Sequence, residues 1–295
     1  MTGLPLDSPL VSTQWLADHL GSPDLLVVDA TVRSTVDAAG RRGYVSGHET
    51  YLLQGHVPGA VFADLVDEFS DPAGRHPFTR PDAERFASAA SALGVGPDTT
   101  VVVYDDALGQ WASRLWWLLG AFGHDAVAVL DGGLGAWRAQ GRPLDVGHVD
   151  PAPATFVAHE RPERWASRDE VAAVSDGRQP GSLVCGVPAA EFAGTEGPRA
   201  RLGHIPGSIS APAGRLVHRE SGTFLEAPAL RELLAPALGT TRVIAYCHAG
   251  IAAAADALAL TVAGHTDVAI YDGSLSEWSA DADAPLATID DAVRA

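Results

Sequence analysis

The sequence predicts an α/β protein made of two tandem copies of one domain, each a mainly parallel sheet with helices on both faces. Three observations carry that expectation. A set of short motifs occurs twice in the same order, about 140–150 residues apart, which marks a duplicated unit. Strand-like and helix-like segments alternate within each copy, the pattern of a parallel sheet covered on both sides. The chain has 295 residues, 46% of them apolar, which is too long for one typical domain and enough for two ordinary cores.

Each element has a local reason. Leu25–Asp29 is a short apolar run after the turn residues Gly21-Ser22-Pro23, and Val101–Tyr104 is continuously apolar, as a doubly covered strand must be. Ala112–Phe122 carries an apolar face with Leu115, Trp116 and Leu119 and reads as a helix. Ala126–Leu130 is the next strand, and a helix starts over Gly135–Gln140. The second copy repeats the order with strands at Ser182–Cys185, Val243–Tyr246 and Val268–Tyr271, a helix over Ala252–Ala263, and a short helix near Trp278. Between the copies, Gly141–Pro162 contains Pro143, Pro151, Pro153 and Pro162 and reads as a linker. The expected domains are therefore 1–142 and 163–295, joined by a linker at 143–162.

The repeated motifs align closely. The first copy has Gly55-His56-Val57-Pro58-Gly59-Ala60, then Tyr104-Asp105, Gly123-His124, Asp131-Gly132-Gly133 and Trp137. The second has Gly203-His204-Ile205-Pro206-Gly207-Ser208, then Tyr246-Cys247, Gly264-His265, Asp272-Gly273-Ser274 and Trp278. Cys247 thus stands where the first copy has Asp105, and only the second copy holds a nucleophile at that point. His56 and His204 occur in both copies and read as structural.

Composition excludes several classes. A formal charge of −17 opposes binding to nucleic acid or to an anionic membrane. No run of about 18 apolar residues is present, so no membrane span is expected. The stretch Met1–Pro9 lacks a basic segment followed by an apolar one, so no secretory signal is expected. Only Cys185 and Cys247 are present, which suits a reduced cytoplasmic setting. The scattered histidines and the lack of a Cys-x-x-Cys pair suggest no metal site and no cofactor. All 20 basic residues are Arg, with no Lys and no Asn, a bias that points to a GC-rich bacterial genome. Fixed positive charge in any site must then come from Arg.

Cys247 follows an apolar strand, and the short stretch His248-Ala249-Gly250-Ile251 precedes the helix that opens at Ala252. That places the sulfur at the carboxyl end of a central strand, where open α/β folds bind ligands. Loop amides and the helix dipole there favour an anion, so a thiol pKa below the free value is expected. Such a thiolate can accept a group covalently.

With these motifs the whole chain resembles the two-domain rhodanese-type sulfurtransferases, which include thiosulfate and 3-mercaptopyruvate sulfurtransferases. The resemblance implies a catalytic second domain and an inactive first copy. It implies that the Cys247 thiolate takes a sulfane sulfur from a small anionic donor as a persulfide. The amides of His248, Ala249, Gly250, Ile251 and Ala252 would cradle it. A thiol, cyanide or protein would then accept the sulfur. The resemblance also carries over Asp64 and His76 of the first domain, at positions that approach the active site in mercaptopyruvate enzymes.

The chain departs from the family at several points. The family loop reads Cys-Arg-Lys-Gly-Val-Thr in thiosulfate enzymes and Cys-Gly-Ser-Gly-Val-Thr in mercaptopyruvate enzymes, against Cys247-His248-Ala249-Gly250-Ile251-Ala252 here. A donor-binding Arg is replaced by Glu191, a charge reversal expected to weaken mercaptopyruvate binding and to be relieved by Glu191→Arg. Arg199, with Arg201 nearby, is the remaining candidate clamp for a carboxylate or sulfonate. Cys185-Gly186-Val187 replaces the usual Asp-x-Arg, which leaves Cys185 as either a small core filler or a relay thiol. The sixth residue after Cys247 is Ala253, so the Arg that a rhodanese-fold phosphatase needs is missing. The reduced donor recognition keeps a second function open, a sulfur carrier loaded by a donor protein.

Overall fold

The structure is a computed structural model that describes residues 3–38 and 42–289; the ends of the expected domains at 1 and 295 lie outside them. The chain divides into two compact units. One comprises Met1–Arg161 with Arg219–Thr223, the other Pro162–His218 with Phe224–Ala295.

The first unit runs β1 (Leu10–Val11), α1 (Thr13–His19), β2 (Leu25–Asp29), β3 (Val32–Val36), β4 (Arg42–Ser46), α2 (His48–Gln54), β5 (Val61–Phe62), α3 (Ala83–Leu93), β6 (Thr100–Tyr104), α4 (Gln110–Ala121), β7 (Val127–Leu130) and α5 (Gly133–Ala139). Its main sheet has the order β1-β7-β6-β2-β5, and every pairing in it is parallel. All five residues of β6, the central strand, are buried, which its unbroken apolar run requires. The antiparallel hairpin β3–β4 forms a separate sheet.

The second unit runs α6 (Arg168–Ser175), β8 (Ser182–Cys185), α7 (Ala189–Ala193), β9 (Ser208–Ser210), α8 (Ala227–Leu234), β10 (Val243–Tyr246), α9 (Ala252–Val262), β11 (Val268–Ile270) and α10 (Ser274–Trp278). Its sheet has the order β11-β10-β8-β9 and is parallel throughout. β10 is fully buried, and eight consecutive residues of α9, Ala253–Leu260, are buried behind it.

The repeated motifs have the same structural task in both units. The Tyr104 hydroxyl accepts the Val57 N–H at 3.1 Å, and the Tyr246 hydroxyl accepts the Ile205 N–H at 3.0 Å. His56 and His204 each exchange two backbone hydrogen bonds with a later strand-like segment, at Asp145 and Ala287. Their rings stack on Tyr51 and Phe192 at 4.1 and 3.7 Å. Trp137 and Trp278 donate their indole N–H groups to the carbonyls of Pro143 and Pro285.

The proline-rich stretch expected as a linker lies against the first unit up to Arg161. The prolines lack N–H groups, but their neighbours pair. Gly147 donates to the Leu52 carbonyl, Ala154 to Ser91 and His159 to Phe122. No helix among the described residues is long and apolar enough to cross a membrane.

Candidate active site

Cys247 is the first residue beyond β10, flanked by β8 and β11, and is 2% exposed. Its loop closes by a sharp turn at Gly250, whose φ of +76° only glycine adopts without strain. α9 then begins at Ala252.

Ser274 holds the loop from below. Its hydroxyl accepts the N–H groups of Cys247 at 3.1 Å and Gly250 at 3.2 Å and donates to the Tyr271 carbonyl at 2.8 Å. It does so from a left-handed conformation, φ +50°, where the first copy has Gly133 at φ +55°. A non-glycine residue there carries strain that three hydrogen bonds offset. Two further bonds seat the loop on α10: Leu275 N–H to the Cys247 carbonyl at 3.0 Å, and Ser276 N–H to the His248 carbonyl at 3.1 Å. The sequence showed Ser274 as a repeated position, but the task of its hydroxyl depends on the fold.

With those bonds made, the amides of Ala249, Ile251 and Ala252 have no acceptor among the described residues. They are therefore available to an anion on the sulfur of Cys247. The side chains of the same residues offer no polar group.

The polar side chains come from His248, Glu191 and Arg199. His248 Nε2 is 2.9 Å from Glu191 Oε2, and His248 Nδ1 contacts Arg199 Nη1. Arg199 Nε and Nη2 are buried and have no hydrogen-bond partner among the described residues. Burial lowers the Arg199 pKa from its ordinary value, while the charge of Glu191 pushes the other way; a guanidinium stays cationic regardless. Arg201 is placed differently. Its two terminal nitrogens donate to the carbonyls of Asp281 and Ala284 at 2.5 and 2.6 Å, so its fork holds the chain instead of facing a ligand.

Cys185 ends β8 and is paired with Tyr246 in the sheet register. It is fully buried, and burial pushes its thiol up to about 12. A thiol that resists ionisation is a poor nucleophile, which favours the core-filler reading over the relay. Asp64 and His76 sit on loops of the first unit. Asp64 Oδ1 accepts the N–H groups of Val66 and Asp67 at 2.9 and 3.1 Å, and the His76 carbonyl accepts the Thr79 hydroxyl at 2.8 Å. Among the described residues no group of His, Cys, Asp and Glu is placed to hold a metal ion.

The family model for the rhodanese-like domain matches residues 12–140 and 169–281. The chain belongs to the rhodanese family. It is 35% identical over 284 residues to the 3-mercaptopyruvate sulfurtransferase of Escherichia coli K12, covering 94% of this chain and 96% of that protein. It is 37% identical over 261 residues to the putative thiosulfate sulfurtransferase SseB of Mycobacterium tuberculosis, covering 86% and 90%. The crystal structure of SseA from Escherichia coli, a 3-mercaptopyruvate sulfotransferase of rhodanese fold, superposes with a TM-score of 0.79 at 31% identity, covering 90% of this chain and 98% of that one. Sulfurtransferase activity goes with this membership.

Proposed function

We propose that the protein moves a sulfane sulfur from thiosulfate or 3-mercaptopyruvate, through a persulfide on Cys247, to a thiophilic acceptor. The observation that carries this reading is the buried sulfur of Cys247 in a loop whose amides at Ala249, Ile251 and Ala252 have no acceptor of their own. With thiosulfate, the Cys247 thiolate attacks the outer sulfur; an S–S bond forms, the donor's S–S bond breaks, and sulfite leaves with the electron pair. With mercaptopyruvate the C–S bond breaks, and the departing enolate takes a proton to become pyruvate. The persulfide's negative charge rests on the loop amides. An acceptor thiolate, cyanide or protein thiol then attacks the outer sulfur and returns Cys247 as thiolate. Arg199 clamps the donor's carboxylate or sulfonate. Two free, buried cysteines suit a reducing cytoplasm.

Donor treatment followed by peptide mass spectrometry tests the assignment. An added sulfur is expected on the peptide containing Cys247, and Cys247→Ser is expected to abolish both loading and turnover while keeping the fold. Loading on Cys185 would overturn it. The apolar side chains of the loop favour one alternative, a carrier loaded by a donor protein. Loading that occurs only with a protein donor, and never with either small molecule, would establish the carrier.

A further inference from the structure

Glu191, His248 and Arg199 stand in line beside Cys247. Glu191 is on α7, Arg199 follows on the loop toward β9, and His248 directly follows the cysteine. A guanidinium has only donors, so His248 Nδ1 must accept from Arg199 Nη1. The proton of the neutral ring is then on Nε2, which lies 2.9 Å from Glu191 Oε2 in an ion-pair contact that lacks hydrogen-bond geometry. Glu191 is 12% exposed and His248 34%, so the contact is largely shielded from water. The Nε2–H tautomer is the one compatible with both neighbours.

We propose that Glu191 and His248 are positioning residues that act on the sulfur donor through Arg199. Glu191 holds the Nε2–H tautomer. Nδ1 then holds Nη1, and the guanidinium is left with its Nε and Nη2 free. Those two atoms form the edge that grips two oxygens of a carboxylate or sulfonate side by side, and both are buried and unpartnered. The inference rests on reading Arg199 as the donor clamp. It also changes the sign expected for Glu191→Arg. An Arg at that position would oppose the Nε2–H with another donor, displace the ring and free Arg199 to move, so the Michaelis constant should rise.

Steady-state kinetics with thiosulfate and with mercaptopyruvate, cyanide as acceptor, separates the possibilities. Arg199→Ala is expected to raise the donor KM about tenfold, the scale of one charge-assisted hydrogen bond. Glu191→Ala should raise it about three- to tenfold, with the smaller effect on kcat. Glu191→Gln should restore KM, because its amide oxygen presents an acceptor to the same N–H without a charge. If Glu191 acts only by repelling the donor, Ala and Gln both lower KM, and the proposal is wrong. The double variant Glu191→Ala/His248→Ala should be no worse than His248→Ala alone, since Glu191 works through the ring; additive losses would sink the proposal. Should Glu191→Ala fail to fold in a thermal melt, Gln and Arg at 191 carry the test, with KM near wild type for Gln and raised for Arg. The opposite order overturns it. An unchanged KM in Arg199→Ala removes the clamp and this inference together. A raised KM there with none in Glu191→Ala removes only the positioning role.

Discussion

At the scale of single residues, the contrast between Asp105 and Cys247 explains why one copy lacks a nucleophile. The Asp105 carboxylate fills its own loop. Oδ1 accepts the N–H groups of Ala107 and Gly109 at 2.8 and 3.0 Å, and Oδ2 those of Trp111 and Ala112, both at 2.9 Å. Burial raises its pKa, and the four amides hold it back. An internal anion thus occupies the amide cradle at the position that corresponds to the Cys247 loop. Trp111 and Ala112 lie in the first turn of α4, so the same carboxylate caps that helix. Asp105→Ala orphans three buried donors and one part-buried donor and is expected to cost about 3 kcal/mol, read as a lower urea midpoint. An unchanged midpoint would mean that water replaces the carboxylate. Asp105→Cys should not add a second site. The sequence suggested that the first copy lacks the short loop, but α4 and α9 each begin five residues after Asp105 and Cys247. The obstacle is charge at the loop: Asp106, directly after residue 105, pairs with Arg33 and Arg138 at 2.8 and 3.4 Å. Sulfur loading by mass spectrometry should stay at one per chain, and doubled loading would refute the point.

At the scale of elements, the central strands were the most legible part of the sequence. β2, β8 and β10 fall where their apolar runs placed them, because a doubly buried strand has no other way to read. The hairpin β3–β4 was not legible. Val36, Tyr44 and Val45 are exposed, and Tyr44 finds its aromatic partners Phe78 and Trp111 far along the chain. The two-residue strands β1 and β5 exist only through their pairing with β7 and β2. In the site, Cys247 and its loop were legible from the repeat, whereas the hydroxyl of Ser274 and the Glu191–His248–Arg199 line required three separate elements to meet. α9 shows a further feature hidden in an Ala-rich run. Asp256 is fully buried, and neither oxygen has a hydrogen-bond partner. Burial alone drives its pKa well above the ordinary value, so it is held as the neutral acid. Gly186 makes room for it, since a Cβ there would come within 2.4 Å of Asp256 Oδ2. Asp256→Ala removes an unsatisfied group and suits the helix, and is expected to stabilise by about 1–2 kcal/mol. Calorimetry showing a loss would mean that the carboxyl has a task, such as holding a buried water.

At the scale of the whole molecule, acidity and burial act in the same direction on stability. A net charge of −17 repels itself more as pH rises. Asp29 adds a specific contribution. It is 1% exposed at the end of β2, and burial raises its pKa from 3.8 to about 6, against the hydrogen bonds from Thr31 and Tyr104 that lower it. The folded state therefore holds this proton after the unfolded state has lost it. The stability it contributes is complete below about pH 4 and is lost as pH rises through about 6. Asp256 acts in the same sense. For Asp29 the rise from 3.8 to about 6 corresponds to ~3 kcal/mol. Wild type should then melt higher at pH 5 than at pH 8, and added salt should narrow the gap by screening the net charge. Asp29→Asn keeps an oxygen for the Thr31 N–H, which Asp29 Oδ1 accepts at 2.9 Å, and cannot ionise. It should flatten the fall in melting temperature between pH 4 and about 6.5 and leave it steeper than salt alone can remove only where Asp256 still titrates. A variant whose melting temperature follows the wild-type curve across that range would show that Asp29 is already ionised when folded, and that the remaining pH dependence belongs to the net charge and to Asp256.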